Sequence, residues 1–562
     1  MLSVFWRFMM ELIAIIKNNG TILNFSSMIT LEKEVDGQFT FRKNYLTMKS
    51  SGFKSFKCIV GKNNEGKTFL LNEIFSLNNK TKNNKTKDTY IFRRGDDDYV
   101  IFGSVTGKFS KKVEHIEKSE ILKSTQVIKY SSSIEVCESK KRDDNDISTS
   151  AYLQSMTLDQ LHRIDMIKQI NYSIDHFEDL FYSEFEERKQ RIIRSAGKSV
   201  ILDLSSFGQT INSYGVNYFN SRQKKYISQL LKQVGQTNAI EKAFMYNAIV
   251  IILDFLGEEN YKEITNIIFK KEGEDQFKFS FEELGEVIIE ANKILGKMIA
   301  DEYSYFLQNG LFNSEVSFNF EDPEKRQLLK DLINKFYIDT RDVIPEIYRL
   351  FELRWKGLSS GEVSLLNLLG RTSSIAADLD NEKDTIFLID EVDLGLHPEW
   401  QRLWISKIRP LLSDLFSKNS QLIVTTHSPI LLSDIPKSDI IYLSPNNENK
   451  ETFAQNIYDL FNSSFIFNNV QGEFSTNYIK EIAEVFKTGR LHDNIPQFLE
   501  KYFENVEENN TEQFKKAIKL IGEPIVRNHF LHKLEEFQNT DKEELIRFYK
   551  KKLSELEGNE ES

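Results

Sequence analysis

Short apolar stretches separated by polar turns dominate the first part of the chain. Glu11–Ile16 reads as a strand, Lys17-Asn18-Asn19-Gly20 as a hairpin-like turn, and Phe56–Val60 as an apolar strand. Phe69–Phe75 has the spacing of a helix, Lys80–Asp88 the Lys/Asn-rich composition of a loop, and Gln126–Tyr130 that of another apolar strand. After the charged stretch Lys140–Asp146 the period changes. Ile164, Ile167, Ile170, Ile174, Phe177, Phe181 and Phe185 recur at helical spacing and predict one long amphipathic helix. Further helices are expected over Arg222–Gln233, Ala239–Phe255 and Phe281–Asn309. Val316, Phe318 and Phe320 alternate as a strand does. Asp322-Pro323 then supplies the cap and first-turn proline of a helix with Leu328, Leu329, Leu332, Ile333 and Phe336 on one face.

From Phe351 strand and helix alternate again. The apolar runs Thr385–Ile389, Leu422–Thr425 and Ile440–Leu443 are expected as central strands of a mostly parallel sheet. From Glu451 the pattern is mainly helical and ends in the acidic run Glu555–Ser562. The expected organisation is α/β: an N-terminal lobe over 1–150, a large helical, coiled-coil-like insertion over 151–345, a second lobe over 346–450 and a helical C-terminal tail over 451–562.

Composition narrows the class. At 562 residues the chain exceeds one ordinary core, and 40% apolar with 28% charged residues excludes global disorder. A formal charge of −11 gives no general attraction to nucleic acid, so DNA contact would rest on local basic surface. Lys80–Lys87 and Arg188–Lys198 are the candidates; a solvated loop and a solvated helix face are the plainer readings of the two. Cys58 and Cys137, the only cysteines, leave no disulfide framework and no Cys-based zinc site, which suits a reducing cytoplasm. Met1–Ile16 is apolar, but Arg7 and Glu11 interrupt it and it falls short of the ~20 residues of a membrane span. It also lacks a small-residue cleavage site, and Met9 or Met10 is a possible start; no other segment reads as a span.

Four segments carry chemistry. Gly61-Lys62-Asn63-Asn64-Glu65-Gly66-Lys67-Thr68 matches G-x-x-x-x-G-K-[ST], between an apolar strand and a helix. In such a loop backbone N–H groups cradle phosphates, Lys67 reaches the β/γ-phosphates of ATP and the Thr68 hydroxyl binds Mg²⁺. Asp390-Glu391 places two carboxylates at the carboxyl end of a buried strand, with Asp390 expected to hold Mg²⁺ through water and Glu391 to polarise the attacking water, a metal-only role for Glu391 being the rival reading. His427, just after a neighbouring strand, is placed to hydrogen-bond the γ-phosphate. Leu358-Ser359-Ser360-Gly361-Glu362 precedes a helix, so its backbone N–H groups and the helix N-terminus present positive partial charge to a phosphate.

Together these segments resemble the ABC-type, overcoming-lysogenization-like ATPases of prokaryotic defence, above all the PtuA group of Septu antiphage systems and of some retrons. The resemblance runs through Gly61–Thr68, Leu358–Glu362, Asp390–Pro398 and Thr426–Pro429. In the tail it includes Thr452–Phe467, Gly472-Glu473-Phe474 and Ile521-Gly522-Glu523-Pro524. It implies an ABC-type P-loop ATPase head using ATP and Mg²⁺. Ser359, Ser360, Gly361 and Glu362 would cap a γ-phosphate bound by another subunit, and the product would be a homodimer or a higher even-numbered oligomer. Asp393–Pro398 would contact the opposite site, with His397 not required to touch nucleotide. The resemblance further implies a partner, a PtuB-like HNH endonuclease gated by the ATPase. Relatives with a nuclease in the same chain carry an Asp-x-Asp after the His segment; its absence here leads to the expectation of no intrinsic nuclease.

Three other readings stay open. A DNA-repair ATPase of the RecF or RecN kind would share the nucleotide motifs. A transporter subunit is disfavoured by the long insertion and the helical tail. Arg527 to His532 has the Arg-x4-His spacing of HEPN-type ribonucleases, against the plainer reading of a helix-face pair.

Overall fold

The computed structural model describes residues 10–44, 52–61, 65–78, 87–134 except 96 and 106, 143–182, 192–203 except 196, 315–340, 352–416, 420–443, 451–464, 472–487, 491–503, 506 and 510–557. The expected helices over 222–233, 239–255 and 281–309, and all of the Lys80–Lys87 stretch but its last residue, lie outside these residues. The chain divides into two compact units, 1–466 and 467–562.

The first unit opens with strands β1 (Met10–Ile16), β2 (Ile22–Asn24), β3 (Ile29–Lys33), β4 (Phe39–Lys43) and β5 (Ser55–Val60), followed by β6 (Thr89–Arg94), β7 (Tyr99–Phe102), β8 (Val113–His115) and β9 (Thr125–Ser131). β1 and β2 are joined by the turn read from Lys17–Gly20, in which Lys17 N donates to Thr21 O at 2.8 Å and Gly20 takes φ +86°. β2-β1-β6-β7-β8 form one sheet, antiparallel apart from its last pair, and β3 and β4 a hairpin.

β5 and β9 instead join β15 (Asp384–Asp390), β16 (Gln421–Thr425) and β17 (Ile440–Tyr442) in an all-parallel sheet of order β17-β5-β16-β15-β9. Every residue of β5, β9, β15 and β16 is buried, as expected of strands covered on both faces. Ile440–Tyr442 is an edge strand of three residues rather than a central one, since no further described strand pairs beyond it. Lys57 in β5 is 1% exposed, and its ammonium meets Ser438 O and, at 3.3 Å, Asp439 Oδ1. Burial pushes that ammonium below its ordinary value while Asp439 pulls the other way.

The expected long helix is shorter. It runs Leu158–Asp175, with a capping box between Thr157 and Gln160, and breaks at His176 (φ −116°, ψ 30°). After one turn, β10 (Phe181–Tyr182) pairs in parallel with β11 (Ile193–Arg194). Phe181 lies 5.2 Å from Phe177 and 5.3 Å from Phe320, centroid to centroid, so aromatic packing and strand pairing override the helical period. Phe185 lies outside the described residues.

Three antiparallel strands follow, β12 (Ser199–Asp203) between β13 (Glu315–Asn319) and β14 (Glu352–Lys356); only β13 is legible from alternation. Asp322 caps the helix Pro323–Thr340 as expected, its Oδ1 accepting from Glu324 N at 3.0 Å. In its described part Arg188–Lys198 is not a helix face: Ile193–Arg194 is a strand in which Arg194 is exposed, while Lys198 is 8% exposed.

Helix Leu158–Asp175 packs against helix Ser360–Ala376 so closely that a Cβ on Gly370 would sit 2.8 Å from the carbonyl carbon of Lys168. Arg371 forks onto Asp165 at 2.8 and 2.6 Å and also donates to Ile147 O, while Gln169 donates to Asn367 Oδ1 at 2.6 Å. Because Asp165 is 6% exposed, Arg371→Ala strands a buried carboxylate and is expected to cost about 3–5 kcal/mol. The paired Asp165→Leu/Arg371→Met change should cost less. Urea unfolding of the three proteins checks this, and equal losses for the single and double variants would refute the ion-pair account.

In the second unit the described helices Glu473–Lys487, Leu491–Tyr502, Asn510–Lys519 and Pro524–Glu557 bury Tyr478, Ile482, Phe498, Phe514 and Phe530 among them. Arg527 Nη1 donates to Ile521 O at 3.0 Å, tying off the preceding turn, and His532 faces Glu536 at 3.3 Å. Five positions along a helix turn a side chain by roughly 140°, so Arg527 and His532 diverge rather than form one site. No described helix is long and apolar enough to cross a membrane.

Candidate nucleotide site at the carboxyl ends of the parallel strands

β5, β16 and β15 are neighbours and parallel, so Val60, Thr425 and Asp390 end side by side, where open α/β sheets bind ligands. Gly61 follows β5, and Glu65 and Gly66 lead into helix Lys67–Phe75; Gly66 adopts φ +91°, a conformation open to glycine. Glu65 folds back over Gly61, where an added Cβ would sit 2.6 Å from Glu65 Oε2. Asn63 and Asn64 lie outside the described residues. Lys67 Nζ donates to Gly61 O at 2.8 Å. Burial pushes its ammonium below the ordinary value, against the pull first of Asp390 and then of Glu391.

Asp390, 2% exposed, is the hub: Oδ2 accepts from Thr68 Oγ1 at 2.7 Å and Oδ1 from Thr425 Oγ1 at 2.5 Å. Thr425 Oγ1 in turn accepts from Glu391 N at 2.7 Å. Glu391 takes φ +53°, a left-handed conformation rare for a residue with a Cβ and concentrated at functional sites. Sequence reasoning reaches Thr425 only as the end of a strand; its role depends on the β15–β16 pairing.

Asp393 accepts from Thr426 Oγ1 at 2.6 Å and from His427 N at 3.1 Å, so it secures the His427 segment within its own chain. Ser428 Oγ donates to Gln401 Oε1 at 2.6 Å and accepts from Leu431 N. Burial, and next the nearby Lys67 charge, push the His427 imidazole below its ordinary value, against Asp393 and Asp390. The ring is therefore neutral at pH 7.5. An NMR titration of the nucleotide-free protein is expected to give a midpoint below 6.5; a midpoint at or above 6.5 would contradict this environment.

Ser359–Glu362 forms a separate locus. Ser359 caps its helix, accepting from Glu362 N at 3.3 Å, while Glu362 Oε2 accepts from Ser359 N at 2.7 Å. Ser359 and Ser360 are exposed, and Gly361 is buried beside the 393–398 loop, where its Cβ would lie 3.6 Å from Gly395 O. The described hydrogen bonds of Ser359 and Glu362 stay within this loop or reach Lys198, and none runs to the Lys67–Asp390 cluster.

The oxygen donors at Thr68 and Asp390 suit Mg²⁺: the hydroxyl, 2.7 Å from the carboxylate oxygen, could bind the ion while Asp390 holds it through water. Among the described residues no cluster of three or more His, Cys, Asp or Glu forms a metal cage. A glycine turn after one parallel strand, with acidic and histidine segments ending its neighbours, gives the α/β, parallel-sheet arrangement expected of a P-loop ATPase head.

Comparison with known proteins agrees. The family model described as "AAA domain, putative AbiEii toxin, Type IV TA system" matches residues 195–433. Endonuclease GajA of Bacillus cereus (strain HuB5-5) is 24% identical over 418 residues, 71% of this chain and 56% of that protein. The retron Vc95 probable ATPase of Vibrio cholerae serotype O1 biovar El Tor is 28% identical over 245 residues, 40% of this chain and 43% of that protein. Septu protein PtuA of Bacillus mycoides (strain KBAB4) is 23% identical over 161 residues, 28% of this chain and 21% of that protein. The matches thus span about half or less of each relative's length. At low identity, the chain is related to PtuA and to retron ATPases, as its motifs implied. The name of GajA gives no support to the expectation that nuclease activity is missing.

Proposed function

We propose that this chain is the ATPase of a cytoplasmic antiphage defence complex, binding ATP and Mg²⁺ at the Gly61–Thr68 loop. One observation carries the reading: the continuous hydrogen-bonded path from Thr68 through Asp390 and Thr425 to the backbone of Glu391. When bound, Mg²⁺ supplies charge neutralisation across the phosphates. Thr68 and Asp390 would hold it, Lys67 would contact the β/γ-phosphates, Glu391 would accept a proton from the attacking water, and His427 would donate a hydrogen bond to the γ-phosphate. In this scheme Ser359, Ser360, Gly361 and Glu362 cap the γ-phosphate of a second copy in a homodimer or a higher even-numbered oligomer. Support comes from exposed apolar side chains beside the site, Phe69 at 70% and Leu394 at 46%, and from the exposed Ser359 and Ser360.

Mixing Lys67→Ala with Ser360→Arg chains tests the sharing. Each alone should be inactive, whereas equal amounts should recover about a quarter of wild-type hydrolysis, because half the dimers carry one intact composite site. No recovery would overturn a shared site.

The output is proposed to be the gating of a PtuB-like HNH endonuclease partner, supported by the likeness to PtuA. The similarity to endonuclease GajA over 71% of the chain favours a second reading, with cleavage by the chain itself. Incubating purified protein with DNA and Mg²⁺, with and without the partner, separates the two; cleavage by the chain alone would overturn partner gating.

A further inference from the structure

We propose that Lys198 is the positioning residue of the Ser359–Glu362 loop, and that through it the β12–β14 sheet sets whether this loop can serve a bound nucleotide. The inference rests on the ATPase reading and adds to it a residue outside the four motifs.

Lys198 immediately precedes β12, and its ammonium donates to Gly357 O at 2.5 Å and to Glu362 Oε2 at 2.9 Å. Both side chains of the pair are about nine-tenths buried, at 10% and 11% exposure. Glu362 Oε2 is the same oxygen that accepts from Ser359 N, so one carboxylate atom joins the lysine to the first residue of the loop. An unshared buried carboxylate would have to swing toward water or be stranded, and in either case the cap on Ser359 N is lost.

The backbone around the pair leaves no slack. Gly357 adopts φ +86°, and a Cβ there would lie 2.5 Å from Gly197 O, so the turn leading into the loop is pressed against the turn leading into β12. β14 runs directly into Gly357 and is paired with β12 along its whole length, Ser199 facing Lys356 and Asp203 facing Glu352. The chain leaves β12 after Asp203 and re-enters at Glu315 in β13, at the end of the sheet opposite Lys198. β12 therefore links the root of the 204–314 segment to the helix cap at Ser359. Lys198 makes no described contact with Lys67, Thr68 or Asp390, so it acts through the loop rather than on the nucleotide.

The test uses the full-length chain with three changes: Lys198→Met, Lys198→Arg, and the charge-free pair Lys198→Met/Glu362→Gln in case the single change unfolds the protein. Fluorescent ATP-analogue binding and steady-state hydrolysis are measured for each, alone and mixed in equal amounts with Lys67→Ala chains. Lys198→Met should bind nucleotide within about twofold of wild type while kcat falls about tenfold or more, the scale of a misplaced transition-state contact. Mixing with Lys67→Ala should restore hydrolysis to about a quarter of wild type, since the Lys67→Ala chain brings an intact loop to the other chain's phosphate site. Lys198→Arg, which keeps the charge, should retain most of the rate. The double variant, in which the amide oxygen introduced at position 362 can still accept from Ser359 N with no charge stranded, should hydrolyse faster than Lys198→Met. Wild-type hydrolysis by Lys198→Met would overturn the assignment, as would, in either variant, a loss that Lys67→Ala chains cannot complement. A wild-type chain that binds no ATP would instead overturn the ATPase reading itself.

Discussion

Lys67→Ala will abolish measurable ATP binding. In the nucleotide-free site the ammonium rests on Gly61 O at 2.8 Å, inside a cluster that also holds the Asp390 and Glu391 carboxylates. Removing it deletes the contact to the phosphates and leaves those carboxylates facing a polyanion without a local countercharge. Truncating one partner of a buried, hydrogen-bonded charge pair costs about 2–5 kcal/mol, which corresponds to roughly 30-fold or more in Kd. The loss should persist at saturating Mg²⁺, because Thr68 and Asp390 remain. Isothermal titration with ATP and Mg²⁺ is the measurement. An affinity within twofold of wild type would remove Gly61–Thr68 from the nucleotide site.

How far these features can be read in advance depends on how local their causes are. The Gly61–Thr68 turn and the run into Asp390 are contiguous, with each residue's environment set by its neighbours in sequence: a buried strand, a glycine turn and a helix start. Thr425 and Lys198 are not legible in the same way. A hydroxyl ending a strand and a lysine in a basic stretch are common. They gain roles only because β16 lies beside β15 and β12 lies beside β14. The family resemblance puts Asp393 in a loop facing a second subunit, yet its carboxylate is engaged within its own chain by Thr426 and His427. The helix that stops at Asp175 is the converse case. Spacing alone continues it to Phe185, but Phe181 gains more from Phe177, Phe320 and pairing with Ile193 than from another helical turn.

Glu391→Gln should leave nucleotide binding intact and stall turnover. The substitution keeps the shape of the side chain and the backbone bond from residue 391 N to Thr425 Oγ1, so the left-handed backbone at φ +53° is held as before. What changes is the ability to accept a proton from water, a contribution of about 10²- to 10⁴-fold in general-base catalysis. With Lys67, Thr68 and Asp390 untouched, ATP should stay bound, and the complex that hydrolysis normally dissolves should accumulate. Light scattering of Glu391→Gln with ATP and Mg²⁺ is expected to show twice the monomer mass where wild type shows a mixture. Normal turnover would exclude Glu391 as the base, whereas lost turnover together with lost ATP binding would make its role structural. Glu391→Gly separates strain from chemistry. Glycine accepts φ +53° without the steric penalty of a Cβ, about 1–2 kcal/mol, so that variant should be at least as stable as wild type and still hydrolyse no ATP. A Glu391→Gly protein that is both less stable and inactive would argue that the carboxylate holds the strand end together. One that is stable and inactive leaves proton transfer as its function.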